Sequence, residues 1–163
     1  MSLSVVGIFH TLFGLFALFA AAWLIIKFQK IAISHPLGKL YMLATAITAA
    51  TSFFIFNHGG FNIAHGLAAL TLAALFVAIL LSFFKIFGTL TPYFQLVAMS
   101  STLLFHLIPA ATEVLTRFPL SEPMVKSFDD PLLHKTFLVI LVLFLVLLIW
   151  QIARLKRKTI YIR

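Results

Sequence analysis

The chain has no cysteine. That absence excludes disulfides, thiolate metal sites, cysteine-ligated iron–sulfur clusters and c-type haem attachment. Any metal chemistry must use nitrogen and oxygen ligands. Charge is nearly as scarce: Asp, Glu, Lys and Arg make up 10% of 163 residues, and only four of them are acidic. There is no HExxH, no Walker or dinucleotide-binding glycine pattern, and no nucleophile elbow around Ser100-Ser101-Thr102. That hydroxyl run reads as interhelical hydrogen bonding. Apolar residues fill the space instead, at 63% of the chain with a mean hydropathy of +1.14. A soluble domain of this size cannot hide that much apolar surface, so the composition predicts an integral membrane protein. The net charge of +8 does not point to a nucleic-acid partner. The basic residues sit beside the ends of apolar segments, where lipid headgroups and topology account for them.

Five segments are long enough to cross a bilayer: Val5–Ile26, Leu40–Phe56, Asn62–Phe84, Tyr93–Thr112 and Pro131–Ile152. Breakers divide them at Ser34-His35-Pro36-Leu37-Gly38, His58-Gly59-Gly60, Gly88-Thr89-Leu90-Thr91-Pro92 and a Pro-rich stretch from Arg117 to Pro131. The first segment lacks a basic n-region, and Trp23 and Lys27 stand where a signal peptide would have its cleavage site, so it reads as a retained helix. The expected fold is all-α: a single transmembrane domain over residues 1–163, built as a five-helix bundle. Lys27, Lys30, Lys39, Lys85, Arg154, Lys156, Arg157, Lys158 and Arg163 fall on one side, and only Arg117, Lys126 and Lys135 on the other. That asymmetry predicts a multi-pass inner (plasma) membrane protein with its amino terminus outside and its carboxy terminus cytoplasmic.

Threaded this way, five of the six histidines come to the outer ends of the segments: His10, His58, His65, His106 and His134. Histidine in hydrocarbon is costly and is a functional-site hypothesis by default. His10, His65, His106 and His134 form an expected inner layer, with His58 and Glu113 above it. His58 and His65 are seven residues apart, as are His106 and Glu113, so each pair shares a face wherever its helix extends that far. Gly7 and Gly14 flank His10 as a smooth strip, which suits a flat macrocycle or a closely packed helix. Glu113 is also placed to pair with Arg117, one turn on.

Imidazole is the commonest protein ligand for transition metals and also ligates haem iron, so several occupants are open. The leading expectation is haem b for electron transfer, with His10, His65, His106 and His134 as candidate axial ligands and Arg117 or Lys135 near the propionates. The histidines keep to one side, which suits a single outer haem beside a quinone or a partner redox subunit. A second reading is a non-haem zinc, copper or iron centre made by His10, His65, His106, His134, His58 and Glu113. There Glu113 would act as general base in a membrane hydrolase or oxidoreductase. A third is a non-catalytic accessory subunit of a larger membrane complex, favoured by the small residues Ala44-Thr45-Ala46, Thr48-Ala49-Ala50-Thr51 and Ser52. A transporter is disfavoured, because the inner halves of the segments lack polar residues that would mark a path.

One stretch resembles a known family. His35-Pro36-Leu37-Gly38-Lys39-Leu40-Tyr41, the small-residue helix after it and His58-Gly59-Gly60 are similar over about 40 residues to bacterial membrane proteins grouped as domain of unknown function 2306. That family's pattern carries His-Arg-x-x-Gly-Arg/Lys before a Tyr and a later His-Arg-Arg-Trp-Met run. Here Pro36 replaces the first arginine and the later run is absent. The resemblance implies a bacterial multi-helix membrane protein and brings no activity with it.

Overall fold

A computed structural model describes residues 4–56 and 60–160. Among them there is no strand; five α-helices account for the fold: α1 (Val5–Phe28), α2 (Pro36–Ser52), α3 (Ile63–Phe83), α4 (Thr91–Arg117) and α5 (Pro131–Ile160). Four are long and apolar enough to cross a membrane, so the chain is a multi-pass membrane protein. The fifth, α2, has 17 residues. At 1.5 Å per residue it covers about 26 Å, slightly less than the hydrocarbon thickness.

Four of the five helices start with a side chain that caps unpaired N–H groups, and α4 instead follows a short 3-10 turn over Gly88–Leu90. Ser4 caps α1, its Oγ accepting from Gly7 N at 3.1 Å. His35 caps α2, its Nδ1 accepting from Leu37 N at 3.2 Å, with Pro36 as the first helical residue. Thus α2 starts four residues earlier than the hydropathy suggests, because His35-Pro36 opens a helix where it was expected to break one. It also ends earlier, at Ser52, where Phe53 and Phe54 turn. Asn62 and His65 form a reciprocal capping box on α3. Asp130 Oδ1 accepts from Leu132 N at 2.8 Å ahead of Pro131, the expected start of α5. The basic run from Arg154 onward continues α5 as helix to Ile160, eight residues past the expected apolar limit. Pro109 lies within α4, which stays helical from Thr91 to Arg117.

Helices α1 to α4 form a closed ring, each packing on the next and α1 returning to α4; α5 is added on α4. The core is built of small residues and a few large ones: Ala17, Ala20, Ala21, Ala44 and Ala78 with Leu24, Tyr41 and Met99. Small side chains allow the close backbone approach on which helix association in lipid depends. Gly14 is part of this packing, since a Cβ there would touch Thr48 Cγ2 at 3.4 Å. The opposite faces carry bare Phe19, Ile26, Ile63 and Phe83, as lipid contact requires. Only 11% of the apolar window of α5 is buried, so lipid surrounds most of that helix.

Gly38 lies in the first turn of α2 against the loop that follows α1: a Cβ at this position would overlap the Ala32 carbonyl oxygen. Gly38→Ala should therefore lower stability by about 1–3 kcal/mol through forced backbone movement. Gly66, with open space around its Cβ position, should gain about 0.4–1 kcal/mol from the same change. Thermal unfolding in detergent micelles checks both, and equal effects at the two sites would contradict the close approach.

Candidate functional site

Helix α2 presents Tyr41, Thr45 and Thr48 at a spacing of four and three, with Thr51 three residues further on. That spacing puts all four hydroxyls on one face. Tyr41 and Thr45 are fully buried. Opposite them α4 brings Thr102 and His106, one turn apart, and α1 brings His10. No water reaches these depths in lipid, so every donor needs a protein partner.

The hydrogen bonds can be ordered by asking which atoms are able to donate. Thr102 Oγ1 gives its single proton to the Met99 carbonyl at 2.7 Å. At 2.5 Å from the Tyr41 hydroxyl, it must then accept from Tyr41. Thr45, one turn along α2 from Tyr41, makes the second bridge: its Oγ1 lies 3.1 Å from His106 Nε2, where the imidazole tautomer sets which of the two donates. Two buried links thus join α2 to α4 about one turn apart: Thr45 with His106, and Tyr41 through Thr102 to the Met99 carbonyl. These two helices make few close backbone approaches, so side chains bridge them.

His10 joins the other edge of α2. Its Nδ1 lies 3.0 Å from the Thr48 carbonyl and 3.2 Å from Thr51 Oγ1. A carbonyl can only accept, so Nδ1 carries the hydrogen and Nε2 keeps its lone pair. His10 and His106 thus meet the same face of α2, one from α1 and the other from α4. Glu113 is paired with Arg117 as expected and is 57% exposed, which places a carboxylate at the surface above the two imidazoles.

The remaining expected ligands stand apart. His65 is 1% exposed and is ringed by Phe53, Phe56 and Phe61 with centroids 6.1, 5.2 and 5.1 Å away. Its Nδ1 accepts from Asn62 N at 3.1 Å in the capping box; Asn62 Oδ1, also 3.1 Å away, is occupied by Ala64 N. Its Nε2 has no partner among the described residues. His134 is exposed in the first turn of α5. His58 lies outside the described residues. Among the described residues, no three His, Asp or Glu side chains come together as a metal ion would need.

Polar residues also occupy the half of the bundle nearer Lys30 and Arg154, where none were expected. Ser100 Oγ donates to Gln151 Oε1 at 2.7 Å, linking α4 to α5. Gln95 Nε2 donates to the Ala78 carbonyl at 3.2 Å and to Ser82 Oγ at 2.8 Å, linking α4 to α3. The reading of Ser100-Ser101-Thr102 as interhelical bonding thus holds for Ser100 and Thr102. Contrary to the expectation of an inner half without polar groups, hydroxyls and amides are present there, although they carry no charge. Tyr41, Thr45 and Thr48 were legible as a polar stripe on a helix otherwise read as small-residue packing.

Compared with known protein families, curated proteins and solved structures, the chain has no match.

The Thr45–His106 contact predicts a particular non-additivity. Thr45→Val strands His106 Nε2 and should cost about 1–3 kcal/mol, whereas adding His106→Leu removes the stranded polar atom and should restore much of the loss. Thermal unfolding of the two single variants and the double variant measures this, and simply additive losses would mean that the two side chains do not meet.

Proposed function

We propose that this chain is a proton-transfer protein of a bacterial inner membrane, moving protons between the outer surface and the bilayer centre. One observation carries the reading: buried hydroxyls and an imidazole line the α2–α4 seam, His106 on Thr45 and Tyr41 on Thr102, with His10 on the same face of α2 and the exposed Glu113 two turns beyond His106. Intramembrane ionisable residues joined in this way are typical of proton relays. The basic-residue asymmetry puts the Glu113 end outside, and the resemblance to a bacterial family supports the host membrane.

In the proposed relay His106 accepts a proton on Nδ1 and releases one from Nε2 to Thr45, as imidazole is able to do. Thr45 and Tyr41, neighbours on one face of α2, each take a proton on a lone pair and pass on their own, and Tyr41 delivers to Thr102. Between Thr102 and Glu113, eleven residues of α4 correspond to about 16 Å, half the hydrocarbon thickness. The run ends on the Met99 carbonyl, so a partner membrane subunit or a rearrangement of α4 must complete the passage.

The test is hydroxyl exchange at Tyr41. In a Tyr93→Phe, Tyr161→Phe background, infrared spectroscopy of the reconstituted protein after a change to D2O reads only Tyr41. Exchange should finish within seconds even though this side chain is fully buried, and His106→Leu should slow it by at least about tenfold, the effect of losing one relay step of about 1.4 kcal/mol. Slow exchange in the parent, or exchange indifferent to His106, would end the proposal.

A second reading is favoured by His10 alone. With Nδ1–H held by the Thr48 carbonyl, its Nε2 is free in the manner of a haem or metal ligand. His106 is less suited to that role because its Nε2 is committed to Thr45. We therefore narrow the haem b proposal, with its zinc, copper and iron alternatives, to His10 as the leading ligand. An optical spectrum and elemental content of the purified protein decide it: a Soret band or stoichiometric metal abolished by His10→Ala supports this reading, and neither signal removes it.

A further inference from the structure

Gln151 is 2% exposed, and its amide is only half used. The Ser100 hydroxyl donates to Oε1, which leaves the Nε2 donor without a partner among the described residues. A buried unpaired amide N–H is costly, especially near lipid. Gln151 borders a cavity of about 50 Å³ between the end of α1, the start of α4 and the end of α5, lined also by Phe28, Gln29, Lys30, Leu96 and Arg154. The cavity is too small for an organic cofactor and suits the oxygens of a single phosphate. A wider cleft of about 500 Å³ adjoins it across Phe28, Gln29 and Lys30, adding Lys27 and His35.

The charge around this place is of one sign. Lys27, Lys30 and Arg154 are exposed there, neither cavity has an acidic lining residue, and all four acids of the chain lie at Glu113 or beyond, before α5. The depth is that of the headgroups. Arg154 stands over the Trp150 ring at 5.7 Å, and an indole at the end of an apolar helix marks the membrane–water interface. Basic pockets between transmembrane helices at this level bind anionic lipid headgroups.

We propose that the α1–α4–α5 junction is a binding site for one anionic phospholipid, its phosphate held by Lys30 and Arg154 and by a hydrogen bond from Gln151 Nε2. The wider cleft beside Lys27 and His35 takes the rest of the headgroup. This site lies at the opposite end of the bundle from His10, His65 and His106 and does not depend on the proton-transfer reading.

The test uses the full chain in detergent micelles, titrated with phosphatidylglycerol, with phosphatidylcholine and with inorganic phosphate, and followed by thermal unfolding and native mass spectrometry. Phosphatidylglycerol should bind at one per chain and raise the unfolding temperature. Phosphatidylcholine and free phosphate should do neither at matched concentration. Lys30→Gln and Gln151→Leu should each weaken phosphatidylglycerol about tenfold, the loss of one hydrogen bond to a charged group, while Lys156→Gln, outside both cavities, should leave affinity unchanged. Lys30 is exposed, so its variant carries the test even where Gln151→Leu does not fold. Equal binding of phosphatidylcholine, equal loss in Lys156→Gln or equal binding of inorganic phosphate would each overturn the site: the first two mean non-specific adsorption and the third a soluble anion.

Discussion

Everything in this bundle answers to the rule that a hydrogen-bond donor in hydrocarbon must have a protein acceptor. A helix settles its own backbone and leaves its polar side chains to be settled by neighbours. The face formed by Tyr41, Thr45, Thr48 and Thr51 cannot meet lipid without stranding hydroxyls, so α2 is enclosed by α1 and α3 and bridged to α4. That requirement ranks above hydropathy in placing α2, the shortest of the five helices. Its other face keeps Leu40 and Leu43 exposed, so α2 closes one side of the ring without being covered.

The same rule explains why two histidines gather and two do not. His10 and His106 lie where helix faces converge, and each has a hydroxyl or carbonyl of α2 to meet. His65 is drawn into its own helix start, where the Asn62 N–H needs an acceptor, and three phenylalanines exclude everything else. His134 sits at the surface. Sharing a depth is therefore a weak condition for forming a site; sharing a helix interface is the strong one.

The helices and their number were legible because runs of about twenty apolar residues have few other uses. Their ends were less so. His35-Pro36 looks the same as a breaker or as a helix start until one asks where the Leu37 N–H finds its acceptor. The basic tail of α5 has too little apolar character to be counted with the span, yet nothing in it stops a helix. At the site, His10 and His106 were visible from their type and depth. Their partners were not, because threonine between alanines reads as packing until the facing helix is known. Which helices face one another depends on packing between segments far apart in the chain, and a single sequence does not encode that in any local pattern.

Helix α5 packs mainly on α4 and is mostly surrounded by lipid, yet it buries one amide against Ser100. A helix this apolar is stable in a bilayer before it has any neighbour. Association then becomes a search in two coordinates, sliding and spinning, and one polar residue resolves both at once: displacement by a single turn would leave Gln151 facing acyl chains. The last helix to be made can thus join an already closed ring and lock at a single position, with the Ser100 hydroxyl as its keyway.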